Sequence, residues 1–244
     1  MERELGEHTR FFTSLSHEIR TPLNHLLGGI SLLEISEAPE QREAYGGMIR
    51  DSAGALTRFV DDLVDFARDT TGRETVRTAP FVPRDPVDFA MRAVAGGAAE
   101  NGLELRAEIA SDLPETWTGD EARVGRMLIN LAGNAIRFTA TGSVALAAGV
   151  ESGRLVYSVA DTGPGVEETY RQSIFTAFDR GDPSTSRNTN GSGLGLSIAR
   201  GSARVMGATL ELAPQSPSGG ATLVVTLEPG GAVQRAGKFG RSSL

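Results

Sequence analysis

The run Ser16-His17-Glu18-Ile19-Arg20-Thr21-Pro22 puts an imidazole, a carboxylate and a hydroxyl within two helical turns, beside a proline. A proline inside a helix costs on the order of 3 kcal/mol and frees the carbonyl four residues back, here that of Glu18. At about 100° per residue, Thr21 falls about 40° from His17 and one turn on, with Glu18 adjacent around the circumference. Base, nucleophile and hydroxyl can share one exposed patch. The plainer alternatives are a solvated histidine and a second helix that begins at Pro22. Against a break, Leu15, Ile19, Leu23, Leu26, Ile30 and Leu33 keep steps of three and four across the proline, which predicts one long helix with a bend.

Three further stretches bear on chemistry. Asn130 and Asn134, four apart, with Arg137 three beyond, project two amides and a guanidinium from one face of a helix predicted over residues 120–138. Amide carbonyls suit Mg²⁺, which bridges to phosphates, and an arginine neutralises phosphate charge; the alternative is a solvated helix face. A strand over residues 154–160 runs into Asp161-Thr162-Gly163-Pro164-Gly165. A carboxylate at that strand end could accept a hydrogen bond from an exocyclic amine such as that of adenine, the glycines admitting the ring; a plain Asp-Gly turn is the alternative. Finally, Gly191-Ser192-Gly193-Leu194-Gly195-Leu196 leads into a helical run over residues 197–206, where backbone N–H groups and the helix dipole favour phosphate. The loop matches neither the dinucleotide fingerprint, whose third glycine would be Leu196, nor a P-loop. Residues 179–190, polar and preceded by Ile174-Phe175-Thr176-Ala177-Phe178, read as a mobile lid with an aromatic hinge, although packing is the favoured role for Phe175 and Phe178.

Two regions must position these groups. Long helical patterns over residues 4–37 and 40–69, separated by Glu37-Ala38-Pro39, predict a helical hairpin. In its second helix Tyr45, Met48, Ser52, Leu56, Phe59, Leu63 and Phe66 form a stripe that one hairpin cannot fully cover and two copies in a four-helix bundle would. After a Thr-, Gly- and Pro-rich linker over residues 70–86 holding one short strand, the pattern becomes mixed. Helices are predicted over 86–100 and 120–138, and strands near 103–110, 143–150, 154–160, 208–213 and 221–227. Short connections predict a largely antiparallel or mixed sheet with helices on one face.

Composition narrows the function. The 244 residues are 39% hydrophobic, enough for a proper core, and a formal net charge of -7 argues against broad binding to nucleic acid or an anionic membrane. With no cysteine there is no disulfide, thiolate catalysis or cysteine-ligated metal. No stretch reaches the roughly 18 apolar residues of a membrane span, and a soluble chain is expected. His8 and His25 lie about 180° and about 80° around the helix from His17, so the three histidines do not converge on a metal.

Taken in order, His17-Glu18-x-Arg20-Thr21-Pro22, Asn130-x3-Asn134, Asp161-x-Gly163-x-Gly165, the Phe175/Phe178 segment and Gly191-x-Gly193-x-Gly195 resemble the H, N, G1, F and G2 boxes of two-component sensor histidine kinases of the commonest dimerisation-domain type. The match spans about residues 8–228. It implies a multidomain α plus α/β fold. A dimeric helical hairpin over residues 1–72 would present the phosphoacceptor His17, and residues 73–86 would form the linker. An ATP-binding α/β sandwich of the kind shared with type II topoisomerases and some chaperones would cover 87–229, with a flexible tail over 230–244. The implied reaction is ATP-dependent autophosphorylation of His17, then transfer to an aspartate of a response regulator receiver domain.

The resemblance also implies roles. Glu18 would orient the His17 ring, and Asn134 with Asn130 would hold Mg²⁺, with Arg137 adding positive charge. Asp161 would read adenine, Gly163 and Gly165 admitting it, and Gly191, Gly193, Leu194 and Gly195 would shape the phosphate lid. The position of Thr21 is associated in this family with dephosphorylating the regulator, which implies a bifunctional kinase/phosphatase. A cytoplasmic location is implied, with any membrane attachment through a segment upstream. Two positions depart from the family: lysine is usual where this chain has Arg137, and proline is frequent where it has Ala177. Arginine keeps the charge and changes the geometry. Rival expectations are a conformational ATPase of the same superfold without phosphohistidine, and a phosphotransfer scaffold that has lost ATP binding.

Overall fold

The computed structural model describes residues 2–71, 76–177, 193–214 and 219–229. Its first two elements are long helices, α1 (Glu2–Ile35) and α2 (Pro39–Thr71), packed as a hairpin. α1 continues through Pro22, as the unbroken apolar spacing predicts. Close approach is set by Gly29, where a Cβ would stand 2.9 Å from side-chain atoms of Ile49 and Met48. The turn is tied from the α2 side: the Arg42 guanidinium donates to the carbonyls of Leu33 at 2.9 Å and Ser36 at 3.0 Å, supplying partners for carbonyls that the end of α1 leaves over.

The remainder is an α/β sandwich of β1 (Ala79–Phe81), α3 (Asp85–Glu100), β2 (Glu104–Ile109), β3 (Trp117–Gly119), α4 (Glu121–Phe138), β4 (Ser143–Glu151), β5 (Arg154–Asp161), α5 (Gly195–Val205), β6 (Thr209–Leu212) and β7 (Thr222–Leu227). A five-stranded sheet runs in the order β2-β4-β5-β7-β6, and only the β2–β4 pair is parallel. Strand alternation turns Leu155, Tyr157 and Val159 of β5 to the buried face, where α3, α4 and α5 form one helical layer over the sheet. The mixed sheet with helices on one face agrees with the sequence expectation. Two details differ. α5 starts at Gly195, two residues early, because the glycine loop feeds straight into it, and β3 has no counterpart among the predicted strands. It pairs only with β1, in a separate two-stranded ribbon.

Tyr157, fully buried, donates its hydroxyl to the Pro83 carbonyl at 2.8 Å and so ties the centre of the sheet to the segment entering α3. Burial pushes this phenol far above its usual range, so it stays a neutral donor. Tyr157→Phe is expected to strand that carbonyl and cost about 1–3 kcal/mol, read as a lower urea midpoint at unchanged slope.

Candidate nucleotide and phosphoacceptor site

The amphipathic pattern of α4 decides which of its faces is free for a ligand. Val124, Met127, Leu128, Leu131 and Ala135 are buried, leaving Asn130, Asn134 and Arg137 half-buried along another face. Arg137 Nη2 donates to Asn134 Oδ1 at 2.6 Å, and its guanidinium lies 4.6 Å from the Phe138 ring centroid. The Asn134 oxygen is therefore already drawing a cation. The same side chain touches the start of α5: a Cβ on Gly195 would stand 3.2 Å from Asn134 Nδ2.

Asp161 ends β5, and its Oδ1 accepts the N–H groups of Gly163 at 2.9 Å and Ala221 at 3.2 Å. Oδ2 is left as an acceptor edge. Burial raises the carboxyl above the ordinary carboxylate range, an effect these two backbone bonds partly offset. Gly163 sits where the chain crosses close to the end of α4: a Cβ there would stand 2.9 Å from the Phe138 carbonyl oxygen. The turn is pinned to β4 by Thr162 Oγ1, which accepts the Ser143 N–H at 3.0 Å. Gly165 and Gly193 adopt φ +78° and +66°, conformations favouring glycine.

One residue that shapes this site escaped the sequence reasoning. Gly220, at φ +79°, lies against Asp161 so closely that a Cβ would fall 1.9 Å from the Asp161 carbonyl oxygen. The Gly219-Gly220 pair just before a predicted strand was the available signal. Gly220→Ala is expected to cost about 3 kcal/mol or more through strain and overlap, measured as lost thermal stability together with lost nucleotide binding.

Around the glycine lid, Leu194 is fully buried and Gly195 opens α5, where Ser197 Oγ donates to the Leu194 carbonyl at 2.7 Å. Phe175 is half-buried against the main core, with the Arg200 guanidinium 4.9 Å from its ring centroid. Gly191, Phe178 and the expected lid over 179–190 lie outside the described residues. His17 and Glu18 lie within α1, and Thr21 is exposed one turn on.

The two domains meet at an apolar seam. Phe59 of α2 is buried with Leu194 and Ile198, and Leu15, Ile19 and Ala177 pack around them. Part of the stripe expected to face a second copy is thus covered by the same chain, and the nucleotide domain's lid end reaches the α1 segment that bears His17.

The donor set fits Mg²⁺ and a purine nucleotide. Asn134 offers a hard oxygen in a position that already attracts positive charge, Asp161 Oδ2 offers an acceptor for an exocyclic amine, and the first turn of α5 beside Asn134 offers N–H groups for phosphate.

A family model described as the His Kinase A (phospho-acceptor) domain matches residues 7–72, and one described as the histidine kinase-, DNA gyrase B- and HSP90-like ATPase matches residues 119–231. A phosphoacceptor hairpin followed by an ATPase sandwich is the class that fold and site define. Over 197 residues the chain is 36% identical to the sensor histidine kinase GacS of Pseudomonas protegens, covering 79% of this chain and 22% of that protein. Over 220 residues it is 33% identical to the signal transduction histidine-protein kinase BarA of Escherichia coli K12, covering 88% and 24%. The crystal structure of full-length ShkA in complex with AMPPNP superposes with a TM-score of 0.66 at 32% identity, covering 93% of this chain and 48% of that one. Acinetobacter baumannii AdeS, at 18% identity and a TM-score of 0.68, covers 88% and 98% and shares the fold. The chain spans about a quarter of the length of the curated relatives it matches. It belongs to the sensor histidine kinases of two-component systems.

Proposed function

We propose that this chain phosphorylates itself on His17 from Mg²⁺-bound ATP, passes the phosphoryl group to an aspartate of a response regulator receiver domain, and also dephosphorylates that regulator. The observation that carries the proposal is that one chain joins a nucleotide-type site around Asp161 and Asn134 to the helix that bears His17. In the reaction a neutral ring nitrogen of His17 attacks the γ-phosphorus, the N–P bond forms as the bond to the bridging oxygen breaks, and ADP leaves. Glu18 orients the ring and stabilises the imidazolium character that develops. Asn134, with Asn130, holds Mg²⁺. When bound, that ion draws charge from the phosphates. Arg137 exchanges its bond to Asn134 for a phosphate contact. Asp161 Oδ2 accepts the adenine amine with Gly163 and Gly165 admitting the ring, and Gly191, Gly193, Leu194 and Gly195 cover the phosphates. Thr21 orients water for attack on the regulator's phosphoaspartate.

Several observations support the partners. Leu23, Leu27, Ile30, Leu32, Ile35, Val60 and Val64 stay exposed on the hairpin, an apolar surface that a second copy in a homodimeric four-helix bundle would cover. A solved complex of the histidine kinase ThkA with its response regulator TrrA shares this fold, with a TM-score of 0.69 at 18% identity. Among the described residues no helix is long and apolar enough to cross a membrane, and the reading is of a cytoplasmic catalytic region. Incubation with γ-labelled ATP and Mg²⁺ is expected to give protein-bound phosphate that is labile in acid and stable in alkali. No label, or acid-stable label, would overturn the proposal.

A further inference from the structure

Asp120, outside the nucleotide site, binds both its own helix and a distant part of the chain. Its Oδ1 accepts the Arg123 N–H at 3.1 Å and so caps the N-terminus of α4. Its Oδ2 accepts the Arg77 N–H at 2.9 Å, from the segment that joins the hairpin to the sandwich. The Arg123 guanidinium lies 3.4 Å from the same Oδ2, and both side chains are buried. A cap alone needs only a hydroxyl or a neutral amide. Burying a carboxylate with a guanidinium costs several kcal/mol per ion before their attraction is counted. What the carboxylate adds over a hydroxyl is a second acceptor for a second backbone donor.

That second donor lies where the β1–β3 ladder runs out. The ladder pairs Ala79 with Gly119, and beyond Gly119 the backbone turns into α4, so the Asp120 side chain supplies the next acceptor along the linker. A three-residue, two-stranded ribbon is marginal by itself. Val76 packs against the main core beside it, and a crevice there is lined by Val76, Thr78, Asp120, Met206 and Leu227. The chain leaving α2 at Thr71 is therefore captured by the sandwich at Val76 and Arg77, on the helix that carries Asn130 and Asn134.

We propose that Asp120, held by Arg123, is a positioning residue that pins the interdomain linker at Arg77 and so sets the length of the tether between His17 and the nucleotide domain. The inference rests on the histidine kinase reading above. With the pin in place four residues, 72–75, separate Thr71 from Val76; released as far as the β1–β3 ladder at Ala79, the connection is seven residues, 72–78. Effective concentration falls as about the three-halves power of connection length, so this release lowers it about twofold.

Two substitutions in the full chain test the pin. Asp120→Asn keeps a competent cap and turns an amide NH₂ towards one of the two donors. Arg77→Pro deletes the linker donor and leaves the buried pair and the cap in place. For Arg77→Pro, the autophosphorylation rate at saturating Mg²⁺-ATP is expected to fall about twofold while affinity for a fluorescent ATP analogue is unchanged, and hydrogen exchange over residues 76–78 is expected to rise. Asp120→Asn is expected to show the same rise in exchange together with lost stability, because it also removes the carboxylate beside the buried Arg123 guanidinium. An Arg77→Pro chain that labels at the wild-type rate overturns the inference. So does a parallel loss of nucleotide affinity and rate, which would make the pair a plain stabiliser of the domain. Failure of the wild-type chain to label would overturn the kinase reading and this inference with it, whereas a labelling wild type with unaffected variants overturns this inference alone.

Discussion

Replacing His17 with glutamine is expected to abolish acid-labile phosphate while leaving nucleotide binding untouched. Glutamine is at least as good a helix former as histidine, so α1 should persist, but its amide nitrogen has no basic lone pair to attack phosphorus. Labelling should fall by at least about a thousandfold, to background, because the substitution removes the attacking nitrogen itself. The nucleotide site belongs to another domain, built on β5, α4 and α5. Affinity for a fluorescent ATP analogue should therefore match the wild type. The experiment is a labelling time course beside a binding titration of the same preparation. A His17→Gln chain that labels like the wild type would remove phosphohistidine from the mechanism and return the protein to the conformational ATPases of its superfold.

Asp161→Asn is expected to have the opposite signature, with nucleotide binding lost and stability kept. Losing a charge-assisted acceptor for the adenine amine costs about 1.5–3 kcal/mol, or about 10- to 150-fold in affinity. The carboxyl is raised above its ordinary value of 3.8, mainly by burial. Its contribution to folding is thus fully present below that ordinary value and is lost as pH rises through the higher folded value. At neutral pH the ionised group is a burden on the fold, and the asparagine variant should melt no lower than the wild type. The difference should shrink as the pH falls towards 4. Wild-type ATP affinity should also begin to fall, on acidification, above the pH at which a solvated aspartate titrates. A variant that binds ATP normally, or that loses affinity only because it unfolds, would take adenine recognition away from Asp161.

Periodicity made most of the fold legible. The stripe Leu15 to Leu33 predicted one helix across Pro22, and α1 runs through it. The alternation in residues 154–160 predicted β5, and the structure buries Leu155, Tyr157 and Val159 along it. β3 was not legible because three residues carry no period and Trp117–Gly119 is a strand only by virtue of its partner β1. The same reason hid the seam: Phe59 fits a helical stripe wherever its cover comes from, and nothing local announces Leu194 and Ile198 from the far end of the chain. At the candidate site the spacing Asn130, Asn134 and Arg137 was readable from one helix face. The bond from Arg137 to Asn134 was not, since it depends on rotamers. Asp120 was legible only as the start of the helix predicted over residues 120–138; its cap and its hold on Arg77 exist only once the chain has folded.

The seam also acts as a clock hand. By helical count, position 17 lies about 160° around α1 from each of Leu15 and Ile19, and those two residues are where the nucleotide domain is seated. A domain parked there stands at the back of its own chain's histidine. In the proposed reaction, phosphorylation of His17 by its own chain would therefore begin with a departure: the seam would part and the domain would travel nearly half a turn around the helix. The parking berth is made of apolar side chains, whose hold weakens on cooling, so the parted population should grow in the cold even as every step slows. A displacement of α1 at Leu15 and Ile19 is enough to spoil the berth.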